Sequence, residues 1–309
     1  MDQQQSPQKR ATIISSSVAM ILVLIKLIVG LASGSVAVLA SAIDSILDMA
    51  VSLFNYFAIK KSEEHPNSAY QYGKGKIQAI AAVIEGTVIT ISGFYIIYIA
   101  IEKLVNTTKT SLLIPSIIAM LISILLTYFL VQYLRKVAKE TDSLVIKADA
   151  LHYQTDLLSN TAVLLALALV AMTGLDWIDA LFGLGIGVYI IYTAYEIIVE
   201  GIEILLDRAL EGDSVAKIGE IISQHPEVTS YHWLKTRTDG STNFVEFHLV
   251  LRPSMRLIEA HRIADEIEDK IKLIEKQKKW VITPHFDPYD DEAINEAMLN
   301  DHTLLKEKE

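Results

Sequence analysis

The sequence predicts an α-helical membrane protein with six transmembrane helices, followed by a small cytoplasmic α+β domain. The chain has 309 residues, of which 51% are hydrophobic and 21% are charged, and its mean hydropathy is +0.36. This hydrophobic fraction is too high for two soluble domains of ordinary composition. The long apolar runs are confined to residues 11–206, whereas residues 211–309 have the composition of a soluble protein. In that second region, helix and strand patterns alternate.

Six apolar stretches are long enough to cross the hydrocarbon core of a bilayer, which requires about 20 residues in a helix. The predicted spans lie near residues 11–32, 36–59, 78–101, 111–134, 144–172 and 177–206. Polar or glycine-containing segments separate them, including a predicted loop at 135–142. Three glycines of the last span are expected to permit close helix packing: Gly183, Gly185 and Gly187.

Basic residues are distributed unequally between the two sets of loops that connect these spans. One set carries Lys9, Arg10, Lys60, Lys61, Lys74, Lys76, Arg135, Lys136 and Lys139. The other set carries Lys103 and Lys109. Cytoplasmic loops are enriched in lysine and arginine, and the number of predicted spans is even. Both termini and the soluble domain are therefore predicted to be cytoplasmic.

The soluble region has the predicted element order αββαβ. Its elements are a helix at 215–222, strands at 228–236 and 243–251, a helix at 257–274 and a strand at 280–286. The turn Thr238-Asp239-Gly240-Ser241 joins the first two strands. We expect three segments: a membrane domain at 1–208, the soluble domain at 209–290 and a flexible charged end at 291–309.

Two pairs of ionisable residues lie within the predicted spans. Asp44 and Asp48 are four residues apart in the second span, and His152 and Asp156 are four apart in the fifth. This spacing places each pair on one helical face. Three carboxylates and one imidazole form a ligand set suited to a tetrahedral divalent metal such as Zn²⁺. The alternative is that these groups form interhelical hydrogen bonds or lie at water-exposed helix ends.

Histidines are paired in the soluble region. If the hairpin turns about Gly240, residues whose numbers sum to 480 face each other across the strands. This register places His232 opposite His248, close enough to share a metal ion. The same register gives the pairs Tyr231 with Leu249, Trp233 with Phe247 and Lys235 with Val245.

Three further residues are candidates for the same site. His285 and Asp287 are two apart and so share a strand face, and His261 lies in the predicted helix 257–274. The alternative interpretation is a set of unrelated surface histidines.

Other features exclude function classes or leave roles open. The absence of cysteine excludes disulfides and thiolate metal sites, and the net charge of −10 argues against nucleic acid as a partner. The segment Gly73-Lys74-Gly75-Lys76 lacks the spacing of a phosphate-binding loop. Because the sequence contains no recognisable ATP site, any energy for moving a solute across the membrane comes from an ion gradient, or no energy source is used. Lys26 and Glu85 either pair or face the bundle interior, and Glu196 and Glu200 are expected to be vestibule or snorkelling groups.

Five motifs resemble those of the cation diffusion facilitators, and most closely those of the bacterial zinc and iron effluxers of that family. They lie at 34–48, 72–76, 147–156, 206–210 and 284–288. The resemblance implies a homodimeric, proton-coupled metal antiporter in the bacterial inner membrane, with a metallochaperone-like cytoplasmic domain. Its partners would be divalent metal ions, protons and membrane lipid, with no organic cofactor. Zn²⁺ is the expected metal, whereas Cd²⁺, Fe²⁺, Co²⁺ and Mn²⁺ remain open.

The resemblance also implies roles for individual residues. The transport site of the family corresponds to Asp44, Asp48, His152 and Asp156. Its cytoplasmic binuclear zinc site, at the dimer interface, corresponds to His232, His248, His261, His285 and Asp287. A salt bridge that holds the membrane helices of the two protomers together corresponds to Lys76 and Asp207.

The loop between spans two and three departs from the family pattern. Many relatives have an Asp/His metal cluster there, but Asn67, Tyr70 and Lys74 occupy the corresponding positions. These side chains are poor metal ligands or none, so we expect this third site to be absent. The nearby residues 63–65 are interpreted as a solvated charge run.

Two other functions use the same residues. An intramembrane metalloenzyme would usually need an open coordination position and a general base, and no HExxH-like helix supplies one. A membrane-anchored metal sensor would leave the intramembrane aspartates Asp44 and Asp48 without a purpose. Both remain alternatives to transport.

Overall fold

A computed structural model describes residues 6–33, 36–106, 114–173 and 177–290. The chain divides into two compact units, Met1–Leu205 and Leu206–Glu309. The first unit contains the helices α1 (Pro7–Ser33), α2 (Val36–Ser62), α3 (Ile77–Asn106), α4 (Ile114–Thr141), α5 (Leu144–Thr173) and α6 (Trp177–Leu205). The expected flexible end at 291–309 lies outside the described residues.

The first unit has the helical architecture predicted for a membrane domain. Among the described residues, four stretches are long and apolar enough to cross a membrane: Pro7–Val29, Ile77–Glu102, Met120–Thr141 and Ala180–Leu205. They lie in α1, α3, α4 and α6. The remaining long helices, α2 and α5, carry the ionisable residues of the candidate intramembrane site.

Helix α4 differs from the prediction at its carboxyl end. It continues to Thr141, so the loop predicted at 135–142 is wrong. The segment contains neither glycine nor proline, and its polar side chains do not interrupt the backbone hydrogen bonds of a helix. Asp142, with a φ of 51°, follows the end of the helix.

Helices α3 and α6 approach closely at glycine positions. A Cβ atom built on Gly187 would lie 2.5 Å from Ile97 Cγ1 and 3.0 Å from Gly93 O of α3. A Cβ atom on Gly183 would lie 3.1 Å from Ala100 Cβ, whereas one on Gly185 meets nothing within 4 Å in the described part of the chain. The expectation of close packing is confirmed for Gly183 and Gly187 and is wrong for Gly185.

This contact gives a test with an internal control. We expect Gly187→Val to destabilise the membrane domain by about 1–3 kcal/mol, because the branched side chain overpacks the α3–α6 contact. Gly185→Val introduces the same side chain into the same helix and meets open space. Thermal unfolding of the purified protein in detergent should show a lower midpoint for Gly187→Val than for Gly185→Val. Equal midpoints would contradict this packing.

The second unit has the predicted order αββαβ. Its elements are α7 (Gly212–Ser223), β1 (Ser230–Thr238), β2 (Thr242–Val250), α8 (Leu257–Lys272) and β3 (Lys279–Asp287). The sheet order is β1-β2-β3, with β1 antiparallel and β3 parallel to β2. Both helices pack against one face of the sheet, where Ile218 of α7 and Ile263 of α8 share a core with Phe247 of β2. Full burial of such a side chain contributes about 1.5–3 kcal/mol.

The hairpin register agrees with the prediction over only part of its length. Tyr231 pairs with Leu249 and His232 with His248, as predicted. A β-bulge follows, so the predicted pairing of Trp233 with Phe247 and of Lys235 with Val245 is wrong. Lys235 pairs instead with Glu246, and Thr236 with Val245. The bulge includes Trp233 at a φ of 55°, which is an uncommon conformation for a bulky residue.

Candidate metal centres

Ligand-type side chains of α2 and α5 converge within the membrane domain. His152 Nε2 lies 3.0 Å from Asp48 Oδ1, and Asp156 belongs to the same group, whose ligand atoms lie within 4.8 Å of one another. The side chains of His152 and Asp48 are 15% and 17% exposed, so the group is partly shielded from solvent. Asp44 lies in α2, but its side chain is outside the described residues. The structure therefore brings together three of the four predicted ligands.

The spacing of these atoms suits a small divalent cation. Zinc ligands lie about 2.0–2.1 Å from the metal, so two ligand atoms of a tetrahedral site are about 3.3 Å apart. The 3.0 Å between His152 Nε2 and Asp48 Oδ1 requires only a small adjustment to reach this value. The mixed nitrogen and oxygen set is compatible with Zn²⁺ and with other first-row divalent ions.

A buried polar network adjoins this group. Ser52 Oγ lies 2.8 Å from Tyr153 Oη and 3.4 Å from Asp149 Oδ1. Asn55 Nδ2 donates to Glu85 Oε2 at 2.9 Å and lies 3.5 Å from Asp149 Oδ1. Neither Asn55 nor Asp149 was predicted to have a role. Their spacing in the sequence could have identified them. Asp149 precedes His152 by three residues and Asn55 follows Asp48 by seven, so each lies on the helix face that carries a predicted ligand.

The structure gives contacts for three further charged groups of the membrane domain, Lys26, Glu196 and Glu200. Lys26 Nζ donates to Ser45 Oγ at 2.8 Å, and Glu200 forms an ion pair with Lys147. Glu196 lines an open cavity of about 360 Å³ that Lys147 also lines. The cavity is lined by residues of α4, α5 and α6, and its lining includes Glu196 but not Glu200. The position of Glu196 agrees with the vestibule interpretation.

Three histidines form a row across the sheet of the soluble unit. His232 on β1 is in register with His248 on β2, which is in register with His285 on β3. Asp287 contacts all three imidazoles. Its Oδ2 lies 2.7 Å from His248 Nδ1 and 3.4 Å from His232 Nε2, whereas its Oδ1 lies 3.3 Å from His285 Nε2. One carboxylate therefore offers its two oxygens to different histidines.

The five predicted ligands of the soluble unit differ in burial. The side chains of His232 and Asp287 are 1% and 10% exposed, whereas those of His285 and His261 are 64% and 67% exposed. His261 lies on α8 and contacts Asp265 at 3.7 Å. The structure brings His232, His248 and Asp287 into one group within 4.8 Å, with His285 beside it. Within one protomer, it does not place His261 in this group.

The β-bulge shapes this site. Trp233 stacks on His248 with ring centroids 5.3 Å apart, and Lys235 Nζ lies 4.3 Å from the Trp233 ring centroid. The stacking fixes the orientation of the central imidazole. The sequence did not predict this contact, because a regular hairpin register pairs Trp233 with Phe247.

Lys76 and Asp207 have partners within one protomer. Lys76 Nζ donates to Leu205 O at 3.2 Å. Asp207 Oδ1 accepts from Arg237 Nη1 at 3.4 Å, and Asp207 has a φ of 58°. The predicted salt bridge joins two protomers, so it stays a prediction.

The loop between α2 and α3 uses its polar side chains for internal contacts. Asn67 Oδ1 accepts from Tyr70 N at 2.9 Å, and Lys74 Nζ forms an ion pair with Glu64 at 2.7 Å. Hydrogen bonds from Lys61 and Lys74 lower the pKa of Glu64 to about 2. Its carboxylate is thus ionised and paired near neutral pH. The absence of a metal cluster from this loop stays a prediction.

Comparisons with known proteins match nearly the whole chain. The model of the cation efflux transmembrane domain matches residues 12–206, and that of the cytoplasmic domain of cation efflux proteins matches residues 210–289. The cation-efflux pump FieF of Escherichia fergusonii is 37% identical over 262 residues, which are 85% of this chain and 87% of that protein. FieF pumps of Escherichia coli O1:K1 and of E. coli strain SMS-3-5 are each 36% identical over the same shares.

Proposed function

The chain belongs to the cation efflux family, the cation diffusion facilitators, and from this premise we propose that it exports Zn²⁺ from the cytoplasm in exchange for protons. It is a membrane transporter of metal cations and not an enzyme. The relatives are named as cation-efflux pumps. The choice of metal, the coupling ion and the dimeric state are the proposal.

The observation that carries the proposal is the convergence of Asp48, His152 and Asp156 between two helices of the membrane domain. Ionisable groups in such a position are costly and mark ion pathways. Asp44, one turn from Asp48 on α2, is proposed as the fourth ligand. A ligand set within the membrane gives a metal ion a place to reside midway across it. A membrane-anchored sensor would not require one.

Proton coupling follows from the chemistry of these ligands. Imidazole must be neutral and carboxyl groups ionised to bind a metal, so protons and metal compete for the same atoms. Facing the cytoplasm near neutral pH, the site would take up metal. Facing a more acidic exterior, it would take up protons and release the metal. Alternation between these two states gives antiport.

The soluble domain is proposed to stabilise the active dimer through metal. Asp287 directs its two oxygens toward different histidines, an arrangement that suits a carboxylate shared between two metal ions. One ion would bind His232, His248 and Asp287. The other would bind His285 and Asp287 together with His261, in a site completed at the dimer interface. A salt bridge between Lys76 of one protomer and Asp207 of the other would join the membrane helices.

The proposed topology has six spans in the bacterial inner membrane, with both termini in the cytoplasm. The excess of basic residues in the loops on one side supports this orientation. The domains proposed are the membrane domain at 1–208, the soluble domain at 209–290 and a terminal segment at 291–309. Surrounding lipid is the only other expected partner.

The metal selectivity is tested by competition. Purified protein in proteoliposomes should move labelled Zn²⁺, and excess Cd²⁺ should compete because it accepts the same ligands. Fe²⁺, Co²⁺ and Mn²⁺ should compete less. If Fe²⁺ or Mn²⁺ displaced Zn²⁺ more effectively than Cd²⁺ did, Zn²⁺ would not be the physiological substrate.

The number of bound metal ions provides a further prediction. We expect about three tight ions per protomer, one in the membrane domain and two in the soluble domain, since Asn67 and Lys74 cannot replace carboxylate and imidazole ligands. Equilibrium dialysis of the full chain measures this number. Glu64→Ala removes the main carboxylate of the loop and should leave the number unchanged. A fully occupied metal between residues 63 and 76 would contradict the prediction.

A further inference from the structure

Three buried polar side chains meet between α2, α3 and α5, outside the candidate transport site. Asn55 Nδ2 donates to Glu85 Oε2 at 2.9 Å and lies 3.5 Å from Asp149 Oδ1. Asn55 and Asp149 are fully buried, and Glu85 is 3% exposed. One amide group therefore lies between two carboxyl groups in the interior of the membrane domain.

These groups are not satisfied by their contacts with one another. Asn55 Oδ1, Glu85 Oε1 and Asp149 Oδ2 are buried and have no hydrogen-bond partner among the described residues. Within the same part of the chain, neither carboxyl group forms an ion pair with a lysine or arginine. Two ionised carboxylates in a low-dielectric interior repel each other and lose their hydration. A single amide donor does not compensate for both charges, so the pair requires a bound cation.

The surroundings indicate which cation fits. The titratable groups that face the pair are His152 and Tyr153, both on α5. Neutral polar groups come from Ser52 on α2 and Ser15 on α1. On the α6 side, Ala194 and Ile198 lie against Gly86, the residue that follows Glu85. The nearest other carboxylates of the described residues on these helices are Asp48 and Asp156 of the candidate transport site.

A metal ion does not suit this environment. Asn55 presents its N–H group to both carboxyls, and a donor directed at the space between two ligands repels a metal cation. Ca²⁺ and Mg²⁺ require about six oxygen ligands, more than the three oxygens without partners can supply. A proton needs a single acceptor. It removes one of the two negative charges and converts one oxygen into a donor.

We propose that Glu85 and Asp149 hold one proton between them, and that this proton leaves when a divalent metal ion binds at Asp48, His152 and Asp156. This inference rests on the proposed transport function. Asp149 is three residues from His152 on the same face of α5, about 4.5 Å along the helix axis. A divalent charge at this short range weakens proton binding by Coulomb repulsion. The carboxylic O–H bond breaks, and the proton passes to bulk water.

The pair therefore contributes to the number of protons exchanged for each metal ion. The protons that the metal displaces from its own ligands are released in addition to this one. Glu85 of α3 and Asp149 of α5 do not contact the metal. Together they hold one proton next to the metal site, and they release it when the metal binds. The membrane domain thus loses one positive charge, the proton, at one place while it gains the positive charge of the metal at another.

The test uses Glu85→Gln, which has the shape of the protonated side chain and cannot release the proton. Zn²⁺ is added to the purified full-length protein, and the released protons are counted in weak buffer. At metal saturation, we expect Glu85→Gln to release about one proton fewer per protomer than the wild-type protein. Glu102→Gln removes an exposed carboxylate from the same helix and should leave the count unchanged.

Infrared difference spectra give an independent measurement. Zn²⁺ should remove the carbonyl band of a protonated carboxylic acid in the wild-type protein and in Glu102→Gln, but not in Glu85→Gln. If Glu85→Gln does not fold, Asp149→Asn replaces it. It also removes one member of the pair, so the zinc-dependent loss of the band should again be absent. An unchanged proton count and an unchanged band loss in the folded variant would overturn the proposal.

These measurements require metal binding but no transport. A wild-type protein that binds Zn²⁺ and loses the band without moving metal would refute the proposed function and leave the proton pair in place. If the wild-type protein moves metal, and the variants release as many protons and lose the same carbonyl band as the wild-type protein, only the proton pair is refuted.

Discussion

Replacing His152 with alanine is expected to abolish proton-coupled Zn²⁺ transport. His152 is the only imidazole in the membrane ligand group, and its Nε2 lies 3.0 Å from Asp48 Oδ1. Its removal leaves carboxylates that repel each other around an incomplete coordination sphere. Loss of an outer-shell partner already costs about 10–100-fold in metal affinity, so loss of a ligand should reduce flux by at least about 100-fold. Flux of labelled Zn²⁺ into proteoliposomes measures this effect.

A matched histidine provides the control. His65 lies in the exposed loop after α2, and His65→Ala should transport at the wild-type rate. Asp48→Ala should reproduce the loss seen with His152→Ala, because it removes the other half of the same contact. All variants must elute as folded protein from a sizing column. Transport at the wild-type rate by folded His152→Ala or Asp48→Ala would refute the assigned site.

Zinc is expected to strengthen association of the full-length protein through the soluble domain. A metal ion that binds only the folded dimer stabilises it by mass action, by about 2.7 kcal/mol at a concentration 100 times its dissociation constant. This corresponds to about a 100-fold tighter dimer. Sedimentation of the detergent-solubilised protein, with Zn²⁺ or with a chelator, measures the difference.

The response to zinc should depend on the central histidine of the sheet. His248 contacts Asp287 and lies in register with His232 and with His285. His248→Ala should therefore remove most of the zinc-dependent association, whereas His65→Ala should retain it. Equal association of the wild-type protein with zinc and with chelator would contradict a shared interfacial site.

Much of the fold could be predicted because its signals are local. Apolar length identified the helices, and alternation of residue types identified the three strands of the soluble domain. The pairing of His232 with His248 followed from the turn at Gly240. The register beyond it could not be predicted, because the β-bulge depends on a tertiary contact. Stacking of Trp233 on His248 offsets the cost of an uncommon backbone conformation.

The candidate membrane site was only partly accessible from the sequence. The i,i+4 pairs gave the ligands, because a helix converts that spacing directly into proximity. For Glu85, the sequence left open whether it pairs with Lys26 or faces the bundle interior. Its partner Asn55 could not be identified, since Asn55 is an uncharged residue on another helix. The Glu85–Asn55–Asp149 contact depends on how three helices pack, and no single segment encodes it.

Proton-coupled export of Zn²⁺ is tested most directly by measuring whether a proton gradient drives accumulation of the metal. Proteoliposomes containing the wild-type protein are prepared with equal Zn²⁺ on both sides and with a lower pH inside. We predict that Zn²⁺ accumulates in the lumen against its own gradient as protons leave. We also predict that a protonophore abolishes this accumulation. Zinc that stays at equal concentration on both sides while the pH difference persists would contradict proton-coupled antiport.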